Sequence, residues 1–135
     1  MQMSAGKPLR ILLVEDHEDT KIFMSRLLRT FKHDVKTAGT VQDALALADG
    51  NNFDLVISDL GLPDGSGLDL MRHLRDRHGL RGIALSGFGM EEDLAQSKAA
   101  GFTEHLVKPI SFDKLELSIH RVMRDGGLET VDNEQ

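Results

Sequence analysis

Short, nearly apolar runs alternate with amphipathic stretches from Leu9 to Asp125, and that alternation leaves the chain few ways to fold. Leu9-Arg10-Ile11-Leu12-Leu13-Val14 reads as a strand buried on both faces. Phe53 to Ser58, Gly82 to Leu85 and Glu104 to Val107 read as further strands. Asp34 to Ala38 is a poorer strand, expected nearer a sheet edge. Between the runs the spacing turns helical. A first helix is expected over Glu18 to Phe31, with Phe23, Leu27, Leu28 and Phe31 on one face. Thr40 caps a second that runs to about Asp49 and is stopped by Gly50-Asn51-Asn52. A third runs from about Ser66 to Arg77 with Leu70, Met71 and Leu74 as core. A fourth, from about Met90 to Ala100, is closed by Gly101. Ser111 caps a fifth carrying Leu115, Ile119, Val122 and Met123.

Five βα units without an internal repeat predict an α/β fold of the (βα)5 doubly wound, flavodoxin-like kind. Crossovers between parallel strands are right-handed almost without exception; a parallel sheet of order 2-1-3-4-5 is expected, although the alternation by itself does not prove that order. One domain is expected over residues 9–125, with a tail at 1–8 and a polar, frayed segment at 126–135. Net charge is −6 and no block of Lys and Arg exceeds a few residues, which argues against nucleic-acid binding. The absence of cysteine excludes disulfides, thiolate nucleophiles and Cys-ligated zinc, in keeping with a reducing interior. No apolar run approaches the roughly 18–20 residues of a membrane span, and the opening residues do not form a signal peptide. The chain is expected to be cytoplasmic.

The strand ends carry the chemistry. Glu15 and Asp16 end the first run, Asp59 the third, Ser86 the fourth and Lys108 the fifth. In an open parallel sheet these positions share the carboxyl edge, where ligands bind, and the order above puts Glu15 and Asp16 beside Asp59. Carboxylates brought together repel. A magnesium ion relieves that cost, taking oxygen ligands and bridging them to phosphate. Lys108 adds a point charge for phosphate oxygens and Ser86 a hydroxyl, while Gly87 leaves room for a phosphoryl group. Pro109 fixes the chain just after Lys108, in a cis or trans peptide. Singly, each residue fits a blander role, Asp16 as a helix cap and Asp59 as a turn opener. Jointly, at strand ends that should meet, they read as a magnesium and phosphoryl site. His73 and His78 lie off a common helical face and make no zinc pair. His17 reads as a rim residue beside the acids, with metal ligation the lesser alternative.

With these residues in this order, the chain resembles the receiver domains of two-component response regulators over Leu9 to Asp125. The resemblance implies that Asp59 accepts a phosphoryl group from a phospho-histidine. It implies that Asp16, Asp59 and the Gly61 carbonyl bind Mg2+ (or Mn2+) directly, and that Glu15 helps through water. It gives Ser86 and Lys108 the phosphate, and a histidine kinase or histidine phosphotransferase domain as partner. One departure is His105, which stands where a switching Tyr or Phe is usual. Haloacid dehalogenase-like phosphatases share the aspartyl-phosphate chemistry but need a second acid two residues after the nucleophile. That place is Gly61, so turnover of outside substrates is not expected. Nothing after residue 125 reads as a DNA-binding domain. The runs Ala84 to Asp93, Ala100-Gly101-Phe102 and His105 to Pro109 resemble receivers of hybrid histidine kinases, the alternative being a free-standing single-domain regulator. Gly61 and Phe88 offer no acceptor to position a hydrolytic water, which predicts a long-lived phosphoryl group.

Overall fold

A computed structural model of the chain describes residues 7–87 and 91–125, with only the backbone of residues 91–93 and 125. Residues 1–6 of the expected 1–8 tail, the expected tail at 126–135, and the roles expected of Phe88, Gly89 and Met90 lie outside the described residues. The elements run β1 (Arg10–Val14), α1 (Glu18–Thr30), β2 (Asp34–Ala38), α2 (Val41–Gly50) and β3 (Leu55–Asp59). A hairpin of β4 (Gly61–Leu62) and β5 (Gly65–Ser66) follows. The chain then continues through α3 (Gly67–His78), β6 (Arg81–Ser86), α4 (Glu91–Ala100), β7 (Phe102–Val107) and α5 (Phe112–Asp125). The main sheet is parallel, with order β2-β1-β3-β6-β7. That is the expected 2-1-3-4-5 once the hairpin is counted separately.

The central strands β1, β3 and β6 are apolar on both faces because helices cover both, while the edge strands β2 and β7 are partly exposed. Ile11, Leu13, Leu55, Ile57, Ile83 and Leu85 meet Met24 and Leu28 of α1 and Leu115, Ile119 and Val122 of α5. Their neighbours along the strands, Leu12, Val14, Val56 and Ala84, point the other way. These pack with Ala44 and Ala48 of α2, with Leu70, Met71 and Leu74 of α3, and with Ala100. The sheet therefore separates two cores, each fed by alternate residues of the same strands.

Helix ends follow the capping chemistry. The Thr40 hydroxyl accepts from the Asp43 N–H, Ser66 from Leu68 and Ser111 from Lys114. Gly79 ends α3 in the left-handed region at φ 64°. The first helix differs from expectation on one face: Phe23 is exposed and Met24 is buried instead. Leu28 and Phe31 are buried as expected and Leu27 packs against the core, so the difference is confined to Met24 in place of Phe23. The segment after Asp59, expected as a plain turn, is the β4–β5 hairpin, in which Gly61 pairs with Ser66. The peptide between Lys108 and Pro109 is cis. Among the described residues, no helix is long and apolar enough to cross a membrane.

Candidate functional site

Register brings the strand ends together. Val14 lies beside Ser58, and Asp59 beside Leu85, so Glu15, Asp59 and Ser86 emerge side by side at one edge. Two backbone bonds fix the rim: Leu60 N–H donates to Leu85 O at 3.1 Å, and Lys108 N–H to Ser86 O at 2.8 Å. Gly67 lets the chain turn back under the site. Its N–H donates to Leu60 O at 2.8 Å. A side chain there would overlap the Asp59 carbonyl oxygen and lie 2.9 Å from Leu60 Cα.

The buried residues of the site are charged. Glu15 is wholly buried, and Asp59 and Ser86 nearly so. Lys108 reaches across the edge and sets Nζ 2.9 Å from Glu15 Oε1 and 2.9 Å from Asp59 Oδ2. Glu15 Oε2 accepts the backbone N–H of His17 at 3.0 Å and lies 3.1 Å from His17 Nδ1. Burial alone would raise the Glu15 pKa, but the bonds from Lys108 and His17 outweigh it and hold the carboxyl below its usual range. For Lys108, burial works to lower the pKa. The hydrogen bonds to Asp59 and Glu15 outweigh it and raise the ammonium above its ordinary value.

Glu15, Asp16, His17 and Asp59 each bring one donor atom into a group spanning no more than 4.8 Å. Three carboxylates against one ammonium leave a surplus of negative charge, which suits a divalent cation. On the other side, Ser86 Oγ lies 2.7 Å from His105 Nε2, and among the described residues no hydrogen-bond partner reaches the buried His105 Nδ1. Gly61 opens β4 two residues past Asp59, and Gly87 is exposed just past Ser86. In both places an added Cβ would meet nothing within 4 Å.

The structure thus gathers Glu15, Asp16, Asp59, Ser86, His105 and Lys108, with Gly61, Gly87 and Pro109 adjoining them in the chain. Two features went beyond the sequence reading. Glu15 is a direct partner of Lys108. Asp64, read only as part of a turn, accepts from the N–H groups of Val41 and Gln42 at 2.7 and 3.0 Å, so the hairpin tip closes the start of α2. Those bonds lower the Asp64 pKa. The Pro63-Asp64-Gly65 turn signals a carboxylate at a loop tip; which helix it reaches depends on the packing.

The family model described as "Response regulator receiver domain" matches residues 11–120. The chain is 33% identical over 114 residues to the KDP operon transcriptional regulatory protein KdpE of Escherichia coli, covering 84% of this chain and 51% of that protein. It is 31% identical over 116 residues to the response regulator protein PilR of Pseudomonas aeruginosa, covering 85% and 26%. The chain therefore spans about half or less of the length of these curated relatives. Among solved structures, the chemotaxis response regulator CheY4 of Vibrio cholerae matches with TM-score 0.81 and 28% identity, covering 86% of this chain and 99% of that one. The non-phosphorylated HemR receiver domain of Leptospira biflexa matches with TM-score 0.79 and 31% identity, covering 94% and 100%. On its fold, its clustered strand ends and these matches, the chain belongs to the response regulator receiver domain family.

Proposed function

We propose that the domain accepts a phosphoryl group on Asp59 from a phospho-histidine of a histidine kinase or phosphotransferase domain, and that this changes its surface for a partner. The carrying observation is the pairing of a nearly buried Asp59 with Lys108 Nζ at 2.9 Å, inside a cluster of carboxylates. An Asp59 carboxylate oxygen attacks phosphorus as the P–N bond to the donor breaks, and the imidazole leaves with the bonding electrons. A Mg2+ ion held by Asp16, Asp59 and the Gly61 carbonyl, with Glu15 behind it, would neutralise the charge that gathers on the phosphoryl oxygens. Lys108 already spans Glu15 and Asp59, so it is placed to follow the new oxygens. Ser86 has a choice between His105 and the phosphoryl group, and that choice is the switch: the added charge, about −1.5 to −2 at neutral pH if it ionises like other phospho-residues, draws the hydroxyl inward.

Incubation with Mg2+ and acetyl phosphate should add one phosphoryl group to the parent chain and none to Asp59→Asn. Equal labelling of the two would remove the proposal. We assign the parent protein to the hybrid histidine kinases, on the runs Ala84 to Asp93 and His105 to Pro109. The open reading frame tests this. A kinase module upstream is expected; a transcription-regulating module in place of a kinase, as the name of KdpE suggests for that relative, overturns it.

A further inference from the structure

We propose that His17 is a metal ligand of the acidic pocket and makes that pocket select nitrogen-accepting divalent ions such as Ni2+ over Mg2+. The inference rests on the divalent-ion reading above and adds to it the choice of ion. His17 Nδ1 stands 3.1 Å from Glu15 Oε2 and 3.5 Å from Asp16 Oδ1, and the Asp59 carboxylate joins the same group of donors. Two donors each about 2.1 Å from a shared ion, at angles between right and tetrahedral, lie roughly 3.0–3.4 Å apart. The 3.1 Å separation falls within that range and the 3.5 Å one just beyond it, so the donors, spanning up to 4.8 Å, stand close enough to draw in around an ion.

Among the described residues the His17 ring meets only the acids of this same group. It occupies the N-cap position of α1, yet its side chain makes no bond to the helix. The side chain is 71% exposed, so packing does not hold the ring. Its backbone N–H is tied to the buried Glu15 carboxylate at 3.0 Å, which holds the main chain against the pocket while leaving the ring free to turn. On binding, the ring proton takes the Nε2 position facing water and Nδ1 gives its lone pair to the ion. The bond to Glu15 gives way as Nδ1 turns to the ion, which Glu15 continues to support from behind. Imidazole suits nickel, copper and zinc, whereas magnesium favours oxygen throughout its shell. A nitrogen among three carboxylates therefore shifts the preference toward transition ions without abolishing Mg2+ binding.

The test compares the parent chain with His17→Ala, both checked for an intact amide spectrum. Ni2+ and Mg2+ affinities are measured by titration calorimetry, the Ni2+ event at this site being the one that excess Mg2+ displaces. Losing a direct ligand should weaken Ni2+ at least as much as losing an outer-shell partner does, about tenfold or more, with Mg2+ affinity changed less than about twofold. Pulsed electron paramagnetic resonance of bound Mn2+ should show nitrogen coupling in the parent and lose it in the variant, which a merely structural role for His17 would not produce. An unchanged Ni2+ to Mg2+ ratio, or no nitrogen coupling in the parent, overturns the proposal. If Mg2+ binds and Asp59 is labelled normally while the ratio stays unchanged, only the role of His17 falls. If neither ion binds the parent, the metal part of the proposed function falls with it.

Discussion

Replacing Lys108 by methionine should turn the most buried acid of the site from an asset into a liability. Methionine keeps most of the side-chain volume but removes the ammonium that lies 2.9 Å from both Glu15 and Asp59. Glu15 is then a wholly buried carboxylate with only the His17 bonds left. Removing one partner of a buried pair costs about 3–5 kcal/mol. The Lys108 side chain is 23% exposed, so part of its charge is already screened and the low end, about 3 kcal/mol, applies. For a chain of this size roughly 3–4 °C per kcal/mol is expected, or a fall in Tm of about 10 °C near pH 7. The pH dependence carries the sharper test. In the parent the Glu15 pKa is lowered below 4.5, so its contribution is complete above about that pH and disappears as pH falls through the folded value. In the variant burial is far less opposed and the Glu15 pKa rises, so acid relieves the strain. The gap between parent and variant should therefore be widest near neutrality and shrink as pH falls below about 5. Saturating Mg2+ should restore part of the loss, by about 2.7 kcal/mol at a hundredfold excess over Kd. Thermal unfolding across this pH range decides the matter. Equal stability near pH 7, or a gap that does not narrow in acid, would refute the ion-pair reasoning.

Gly67→Ala should destabilise by about 3 kcal/mol or more in denaturant unfolding, since the added Cβ meets the backbone of Asp59 and Leu60 and not a side chain that can move; a loss below about 1 kcal/mol contradicts the close approach. Gly61→Asn should fold normally, because nothing lies within 4 Å of a Cβ there. It should shorten the aspartyl-phosphate lifetime by giving the hydrolytic water an acceptor, and an unchanged decay after donor removal argues against the slow-clock reading. Ser86→Ala should still be labelled at Asp59 but show smaller amide shifts in β7 and α4 on phosphorylation; shifts equal to the parent's would uncouple Ser86 from the switch.

Much of the edge was legible because strand ends are written into the chain locally. Val14-Glu15, Ser58-Asp59 and Leu85-Ser86 each mark where an apolar run stops, and a parallel sheet aligns such stops. Once the order was fixed, the meeting of Glu15, Asp59, Ser86 and Lys108 followed. Phe23 and Met24 are hard to tell apart because Ile22, Phe23 and Met24 are all apolar, and either fits the helical period with Leu27, Leu28 and Phe31. The side chain that faces the core there is settled by contacts with β1 and α5, which no local pattern records. Asp64 and Glu15 were read short for a related reason. Composition places an acid at a loop tip or a strand end, but whether it meets a helix start or an ammonium depends on elements distant in sequence. His17 beside the acids was visible as an adjacency, while its idle N-cap position emerged only from the geometry.

Asp64 makes the rim of the site mechanically lopsided. By holding Val41 and Gln42 it rivets the Gly61 hairpin to the start of α2, so the half of the rim bearing Glu15, Asp16 and Gly61 is braced against the β2 edge of the sheet. The other half is built around the Ser86–His105 hydrogen bond, which a phosphoryl group can trade for one of its own. On the proposed phosphorylation, charge added at Asp59 would push on a frame with one stiff side and one exchangeable side. The displacement would then be delivered toward β6 and β7 rather than shared around the ring. A single rivet on the β2 side would give the proposed switch its direction.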